Sequence, residues 1–348
     1  MDDDPARALA ASRAFIFEYC SAADPDVPAL PFAAFSSSLH ASSDGPAGVF
    51  PLDLSASLFR AAGGADGVRA PPAGCAPCTS PNLLASFVRL RGGAPPVLAS
   101  ARATSHLFYV LRGAGSAARA GATGGGEEPP LAWAAGDLFA LPACDGVALA
   151  LAPACADAAL YWVCDAPLLG WLGAAPAAPR FSPTLWSAAA LERELARVCA
   201  DPAWRRRNRA GVLLGTAATS APDAPLQTLT ASHTMWALYN ALPARHVQRP
   251  HKHNSVALDL CVRAGPNTYT LMAARINEHG ELQPPITRAD WVAGSVFLTP
   301  PGLWHSHHND SDVDAIVLPV QDAALHTFMR TLFIEFAPPD QRQLAPPV

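Results

Sequence analysis

The sequence predicts an all-β protein with two barrels, an N-terminal irregular and helical extension, and a linker helix between the barrels. From Leu83 onward, short β-branched and aromatic runs are broken by Gly and Pro, a pattern typical of barrels and sandwiches. Residues 187–199 instead show a helical apolar stripe. The length of 348 residues suits about two domains.

The order of segments follows from composition. Residues 1–82 form the extension: 6–20 predict a helix, and 21–82 are rich in Pro, Gly, Ser and Ala, which predicts an irregular segment that wraps the first barrel or a partner subunit. The other predicted segments are a first barrel at 83–167, a linker at 168–227, a second barrel at 228–338 and a disordered tail at 339–348.

The predicted strands are short runs inside these two barrels. In the first barrel they are 83–90, 107–111, 137–141, 147–151 and 159–163. In the second they are 234–241, 247–253, 256–263, 269–276, 295–298, 304–308 and 315–320.

Composition excludes several classes of function. Half of the residues are apolar, 15% are charged and the net charge is −5, without a basic block, which argues against nucleic acid as the main partner. No apolar run reaches the roughly 18–20 residues that span a bilayer, and the acidic start lacks the features of a signal peptide. We therefore expect a cytoplasmic protein that does not bind membranes.

Cys75 and Cys78 could form a redox pair or half of a zinc site, but no second pair completes a zinc set.

Two histidine clusters predict one metal site. His251 and His253 lie two residues apart, so they point to the same face of an extended strand. His305, from a separate strand, can complete a facial set around one divalent metal. Neutral imidazole is a common ligand of Fe, Mn, Ni, Cu and Zn.

The spacing of these residues resembles the two cupin motifs. The first motif places a Gly before His-x-His and a Glu ligand after it. Here His251, His253 and the later Gly265 keep the register, whereas Arg245 replaces the first Gly and Leu258 occupies the Glu position. The second motif matches at every fixed position, namely Gly294, Pro300, Gly302, His305 and Asn309.

An upstream segment resembles an eroded second copy of the same motifs. Its ligand positions hold Ala99, Ala101 and Val147, and its Glu position holds His106. We expect this first cupin to be degenerate, metal-free and structural. Two cupins in one chain, the missing Glu and the run from Trp304 to His307 resemble the bicupin group that includes gentisate 1,2-dioxygenases, 1-hydroxy-2-naphthoate dioxygenases and salicylate dioxygenases.

This resemblance implies a non-haem Fe(II) dioxygenase that cleaves the ring of an aromatic hydroxy acid, with Mn, Ni, Cu or Zn as other possible metals. Three neutral imidazoles leave the full 2+ charge on the metal, which favours an anionic bidentate substrate beside O₂. His307, two residues past His305, should face the same cavity as a general base, a residue that orients a ligand, or an alternative ligand. Arg249 is expected on the ligand face as a carboxylate partner, with Trp304 and Trp236 as further substrate contacts.

Two other functions stay open at this point. A metal-dependent lyase or isomerase, for example one similar to dimethylsulfoniopropionate lyases, would need a base such as Tyr239 or Tyr269 and no O₂. A non-catalytic cupin that binds a small molecule would need neither. In each case we expect a homo-oligomer, either a dimer or a tetramer.

Overall fold

The computed structural model describes residues 5–24, 27–41, 45–59, 70–120 and 129–338, so the predicted disordered tail at 339–348 lies outside the described residues. The extension contains these elements: α1 (Pro5–Ala11), α2 (Tyr19–Ala22), β1 (Ala33–Phe35), α3 (Ser38–Ala41), β2 (Gly48–Pro51) and α4 (Ser55–Leu58). The prediction of one helix over 6–20 is wrong. Helix α1 buries no residue, so no tertiary packing extends it, and α2 begins separately behind the Glu18 side chain, which accepts hydrogen bonds from the amides of Cys20 and Ser21.

The first barrel is formed by long antiparallel strands. They are β3 (Leu84–Arg91), β4 (Val97–Arg112), β5 (Ala114–Ala120), β6 (Leu131–Ala134), β7 (Leu138–Leu151) and β8 (Asp157–Cys164). The pairing order is β2-β3-β8-β4-β7-β5-β6. The two predicted strands 137–141 and 147–151 are one continuous strand, β7, because β4 bulges between Ser100 and Ala103 and keeps pairing with it.

The linker carries α5 (Ala166–Leu172), β9 (Thr184–Trp186), α6 (Ala188–Ala200), α7 (Ala203–Arg207), β10 (Ala210–Leu214) and α8 (Ala217–Ser220). Helix α6 lies over the stretch predicted as 187–199. The Ser187 side chain caps it by accepting a hydrogen bond from the amide of Ala190. Its apolar stripe buries Leu191 and Leu195 against both barrels. No helix in the described residues is long and apolar enough to cross a membrane.

The second barrel contains β11 (Trp236–Leu242), β12 (His246–His253), β13 (Ala257–Arg263), β14 (Thr268–Ala273), β15 (Arg275–Ile276), β16 (Leu282–Gln283), β17 (Thr287–Asp290), β18 (Val296–Thr299), β19 (Trp304–Asn309), β20 (Ala315–Gln321), α9 (Ala323–Met329) and β21 (Ile334–Phe336). One sheet has the order β1-β18-β13-β20-β11-β10, and the other has the order β17-β14-β19-β12-β21. Strands β15 and β16 form a separate hairpin.

The two faces of the β13 sheet have different partners. Leu258, Leu298 and Val320 pair across this sheet and pack in the core shared with the first barrel and α6. The alternate residues, such as Cys261 and Phe297, pack in the second barrel's own core. This alternation decides which side chains can reach the inside of the second barrel.

The extension reaches both barrels. Strand β1 pairs with β18 of the second barrel, and β2 pairs with β3 of the first. His40, on α3, shares a hydrogen bond with the Gly294 carbonyl of the second barrel at 3.0 Å, and its own carbonyl accepts one from Arg112 of the first barrel at 2.8 Å. The extension therefore contacts the second barrel as well as the first, which the prediction did not include. Nothing in the sequence indicated that β1 would pair with the distant β18.

Candidate metal centre

Strand pairing brings three imidazole rings together inside the second barrel. His251 on β12 lies directly opposite His305 on β19, and His253 follows on the same face. One ligand nitrogen from each of the three residues lies within 4.8 Å of the others. The ring centroids of His251 and His305 are 4.1 Å apart, and those of His253 and His305 are 4.9 Å apart.

In two of these residues, His253 and His305, the Nδ1 atom forms a hydrogen bond with a backbone carbonyl. Nδ1–H of His253 donates to the Ser255 carbonyl at 2.8 Å, and Nδ1–H of His305 donates to the Leu303 carbonyl at 2.9 Å. Each bond leaves the Nε2 lone pair available to a cation. Nδ1 of His251 is buried and has no hydrogen-bond partner among the described residues. Three imidazoles so arranged fit a borderline divalent metal ion.

Burial keeps these imidazoles neutral. The pKa of His251 and that of His305 lie well below the ordinary value, first because of burial and then because of neighbouring imidazoles. Burial likewise lowers the pKa of His253. Neutral imidazole is the form that coordinates metals, so the site does not have to lose protons near neutral pH before it binds one.

Among the described residues, no carboxylate joins the histidine cluster. Leu258, which the motif alignment placed at the Glu position, faces the core between the barrels. The first inward residue of β13 is Ala257, whose methyl group cannot coordinate a metal. Asp259 is the next inward residue; it is 3% exposed and accepts a hydrogen bond from Thr299 Oγ1 at 2.6 Å. Burial raises the pKa of Asp259 to about 7.

His307 lies beside the cluster as the spacing predicted. Its ring centroid is 5.8 Å from that of His251 and 5.7 Å from that of His305. Its Nδ1 shares a 2.8 Å hydrogen bond with Thr270 Oγ1, which also accepts the indole N–H of Trp291. Burial, followed by the charge of Arg209, lowers the pKa of His307 to about 3. The ring is therefore neutral and held in one orientation.

A bulge in β12 changes which residues face the cavity. Gln248 lies opposite His307 and His251 lies opposite His305, so β12 contains one residue more than β19 across this interval. Gln248 is consequently buried, and its Nε2 donates to the Ala241 carbonyl at 3.2 Å. The expectation for Arg249 rested on regular alternation between it and His251, and the bulge breaks that alternation. Pro250, which has no N–H to give to a ladder, was the available signal of a bulge.

Arg209 is a cation close to the histidine cluster that the sequence patterns did not indicate. It is mostly buried, its guanidinium lies 5.3 Å from the ring centroid of Phe336, and that ring stacks on His251. Its charge contributes to the lowered pKa of His251, His305 and His307. Burial lowers the pKa of Arg209 itself to about 10. Arg209 lies far from the histidines in sequence, so no spacing could reveal it.

The two predicted tryptophan contacts lie in different places. Trp304 lies on the outer face of β19, opposite Ala273, and Lys252 Nζ is 4.7 Å from its ring centroid. Strand alternation therefore directs it away from the metal cavity, contrary to the expectation. Trp236 lies opposite Gln321 on the inner face of β11, which leaves it as a candidate cavity wall.

Neither tyrosine considered as a lyase base faces the cavity. The hydroxyl of Tyr239 donates to Glu192 at 3.0 Å in the region between the barrels. Tyr269 stacks on His308 on the outer face and lies beneath the guanidinium of Arg288.

The first barrel presents a different interior. Ala99 and Val147 face each other and pack in its apolar core. His106 is fully buried and stacks on Trp162, and burial lowers its pKa to about 4. Within the described residues, the only group of three or more possible ligand side chains is the one in the second barrel. That the first barrel is metal-free stays a prediction.

The comparisons with known structures agree with this architecture. Salicylate 1,2-dioxygenase from Pseudaminobacter salicylatoxidans matches with a TM-score of 0.62 and 14% identity, over 97% of this chain and 98% of that one. A structure of the same enzyme with gentisate matches with a TM-score of 0.61 and 13% identity, over 97% and 95% of the two chains. No family profile and no curated protein matches the sequence. At this identity the likeness defines the fold: the chain has two cupin barrels and resembles the gentisate dioxygenase-like bicupins.

Proposed function

We propose that the chain is a metal-dependent cupin dioxygenase whose ligands are His251, His253 and His305. The convergence of three neutral imidazoles without a carboxylate carries this proposal, since Ala257 stands where an inward carboxylate would be needed. The whole-chain likeness to salicylate 1,2-dioxygenase supports it.

Fe(II) is the metal we propose, and Mn, Ni, Cu or Zn would also suit imidazole ligands. When bound, such a metal supplies a 2+ charge that draws an anionic substrate and O₂ side by side and passes electron density between them. The residues of the chain then have the tasks of binding, orienting and moving protons.

The substrate class we propose is an aromatic hydroxy acid similar to gentisate, salicylate or hydroxynaphthoate. Arg209 is the best-placed partner for its carboxylate, because a guanidinium binds a carboxylate strongly when both are removed from water. Arg249 contributes less to substrate binding, because the bulge breaks the alternation that would place it on the same face as His251. His307 shares a hydrogen bond through Nδ1 with Thr270, which orients its ring beside the three ligands; in the tautomer that carries the proton on Nδ1, its Nε2 can accept a proton from the substrate hydroxyl. Trp236 forms part of the cavity wall.

The test is metal analysis of anaerobically purified protein, followed by O₂ uptake with gentisate, salicylate and 1-hydroxy-2-naphthoate. We expect one equivalent of metal, lost in His253→Ala and retained in the first-barrel variant His106→Ala. We also expect O₂ uptake only in the metal-loaded protein. Stoichiometric metal in a variant lacking all three histidines would contradict the site.

The same assay separates the alternative functions. Full turnover of a substrate under strict anaerobiosis would move the assignment to a lyase or isomerase. A metal-free protein that still binds an aromatic acid would move it to a non-catalytic binding cupin.

We also propose that the chain forms a homo-oligomer. Phe15, Ile16, Phe17 and Tyr19 are 73–96% exposed, and the described part of the N-terminal segment before them buries nothing. Exposed apolar runs of this kind are typical of surfaces that associate. A cytoplasmic location stays a prediction.

A further inference from the structure

The bulge of the metal strand lies at an unpaired part of its edge. Strand β21 pairs with β12 only over His251–His253, so the stretch from His246 to Arg249 has no strand partner on that side among the described residues. Backbone groups at such an edge still need hydrogen bonds when they are removed from water.

The side chain of Asn208 supplies those hydrogen bonds. Its Nδ2 donates to the Val247 carbonyl at 2.9 Å and lies 3.0 Å from Nε2 of His246. Its Oδ1 accepts the amide N–H of Arg249 at 2.6 Å. One carboxamide therefore takes the place of a neighbouring strand on both sides of Gln248.

The position of this carboxamide is fixed by its own backbone. Asn208 ends helix α7 in the left-handed conformation, with φ of 57°, and its N–H donates to the Arg205 carbonyl. It is 3% exposed. Asparagine tolerates this conformation better than most residues, and its side chain offers both a donor and an acceptor.

We infer that Asn208 is a positioning residue for the metal centre: its carboxamide clamps the β12 bulge, and the bulge turns both Gln248 and His251 to the inner face. This inference rests on the proposed metal site. If the bulge relaxed, the pairing register on one side of it would shift by one residue, which turns side chains to the opposite face; an unclamped β12 would then no longer hold His251 opposite His305. Arg209 strengthens the clamp, because its Nη2 donates to the Arg249 carbonyl at 3.0 Å.

Two variants isolate the carboxamide. Asn208→Gly keeps the left-handed backbone and removes the side chain. Asn208→Asp keeps an acceptor for the Arg249 amide but puts an oxygen against the Val247 carbonyl. Leu195→Ala is the matched control, because it weakens the core between the barrels, away from the metal strand.

The experiment measures Co(II) binding to the full chain by visible absorption, together with the melting temperature of the metal-free protein. We expect Asn208→Gly to weaken Co(II) binding roughly 10- to 100-fold and to alter the absorption spectrum of bound Co(II), as loss of a residue that orients ligands does. Asn208→Asp should have the same effect to a smaller degree. Leu195→Ala should lower the melting temperature and leave the Co(II) affinity and spectrum unchanged.

Three outcomes would overturn the inference. Wild-type affinity and spectrum in Asn208→Gly would show that the clamp does not position the ligands. Equal weakening in Leu195→Ala would show that the effect follows global stability. Failure of the wild-type chain to bind Co(II) would overturn the metal site itself, and this inference with it.

Discussion

Burial of Asp259 predicts a pH-dependent loss of stability that one substitution should remove. The carboxyl is enclosed in the second barrel with Thr299 Oγ1 as its hydrogen-bond donor, and burial raises its pKa from 3.8 to about 7. The folded chain therefore keeps this proton at pH values where the unfolded chain has lost it. By linkage, the free energy of unfolding falls as pH rises from about 4 to about 7, and it is level above that range.

The magnitude follows from the two pKa values. A difference of about three pH units, at roughly 1.4 kcal/mol per unit, amounts to about 4 kcal/mol. Asp259→Asn keeps an oxygen that can accept from Thr299 and carries no charge at any pH. As the pH rises from 4 to 8, the free energy of unfolding of the variant should therefore increase by about 4 kcal/mol relative to that of the wild type.

The assay is urea unfolding of metal-free wild type and Asp259→Asn at several pH values between 4 and 8. The difference between the two proteins is the quantity to follow, because burial also raises the pKa of Asp165 and gives the wild type a second pH-dependent contribution. Asp312→Asn, at an exposed side chain, serves as a control with no expected effect. A difference between wild type and Asp259→Asn that stays constant across this range would refute the reasoning.

Four further outcomes are expected. Arg209→Met should weaken salicylate binding to the metal-loaded chain about 30-fold, roughly 2 kcal/mol, in a calorimetric titration, whereas Arg249→Met should change it less than about 3-fold. Trp304→Leu should leave metal and salicylate affinities unchanged, because the ring faces outward; loss of either affinity would contradict that. Removal of residues 1–22 should reduce the oligomer mass by light scattering; an unchanged mass would exclude this segment from the interface. Cys78 should resist thiol reagents until the chain unfolds, because it is buried and its pKa is raised to about 12.

The sequence predicted the parts of the site that depend on strand alternation alone. His251 and His253 share a face because they lie two residues apart, and His307 shares a face with His305 for the same reason. The turn before β13 interrupts the alternation of side chains. Spacing alone could therefore not predict which residue of β13 is the first to face the metal cavity. It is Ala257, not Leu258.

Contacts between distant segments could not be predicted in this way. Arg209 approaches the cavity from the linker, and Asn208 reaches β12 from the end of a short helix. Such approaches depend on how the elements pack, which no local pattern records. The overall fold was easier to predict, because it repeats the same short-range alternation in many strands.

The pairing of β1 with β18 has a consequence for folding during synthesis. Ala33 lies opposite Leu298, which is synthesised much later than Ala33. Strand β1 therefore cannot pair at the edge of the second barrel until β18 has been synthesised. Contacts so far apart in sequence slow folding. A fragment that begins at the second barrel would leave β18 as an open edge, available to pair with other chains.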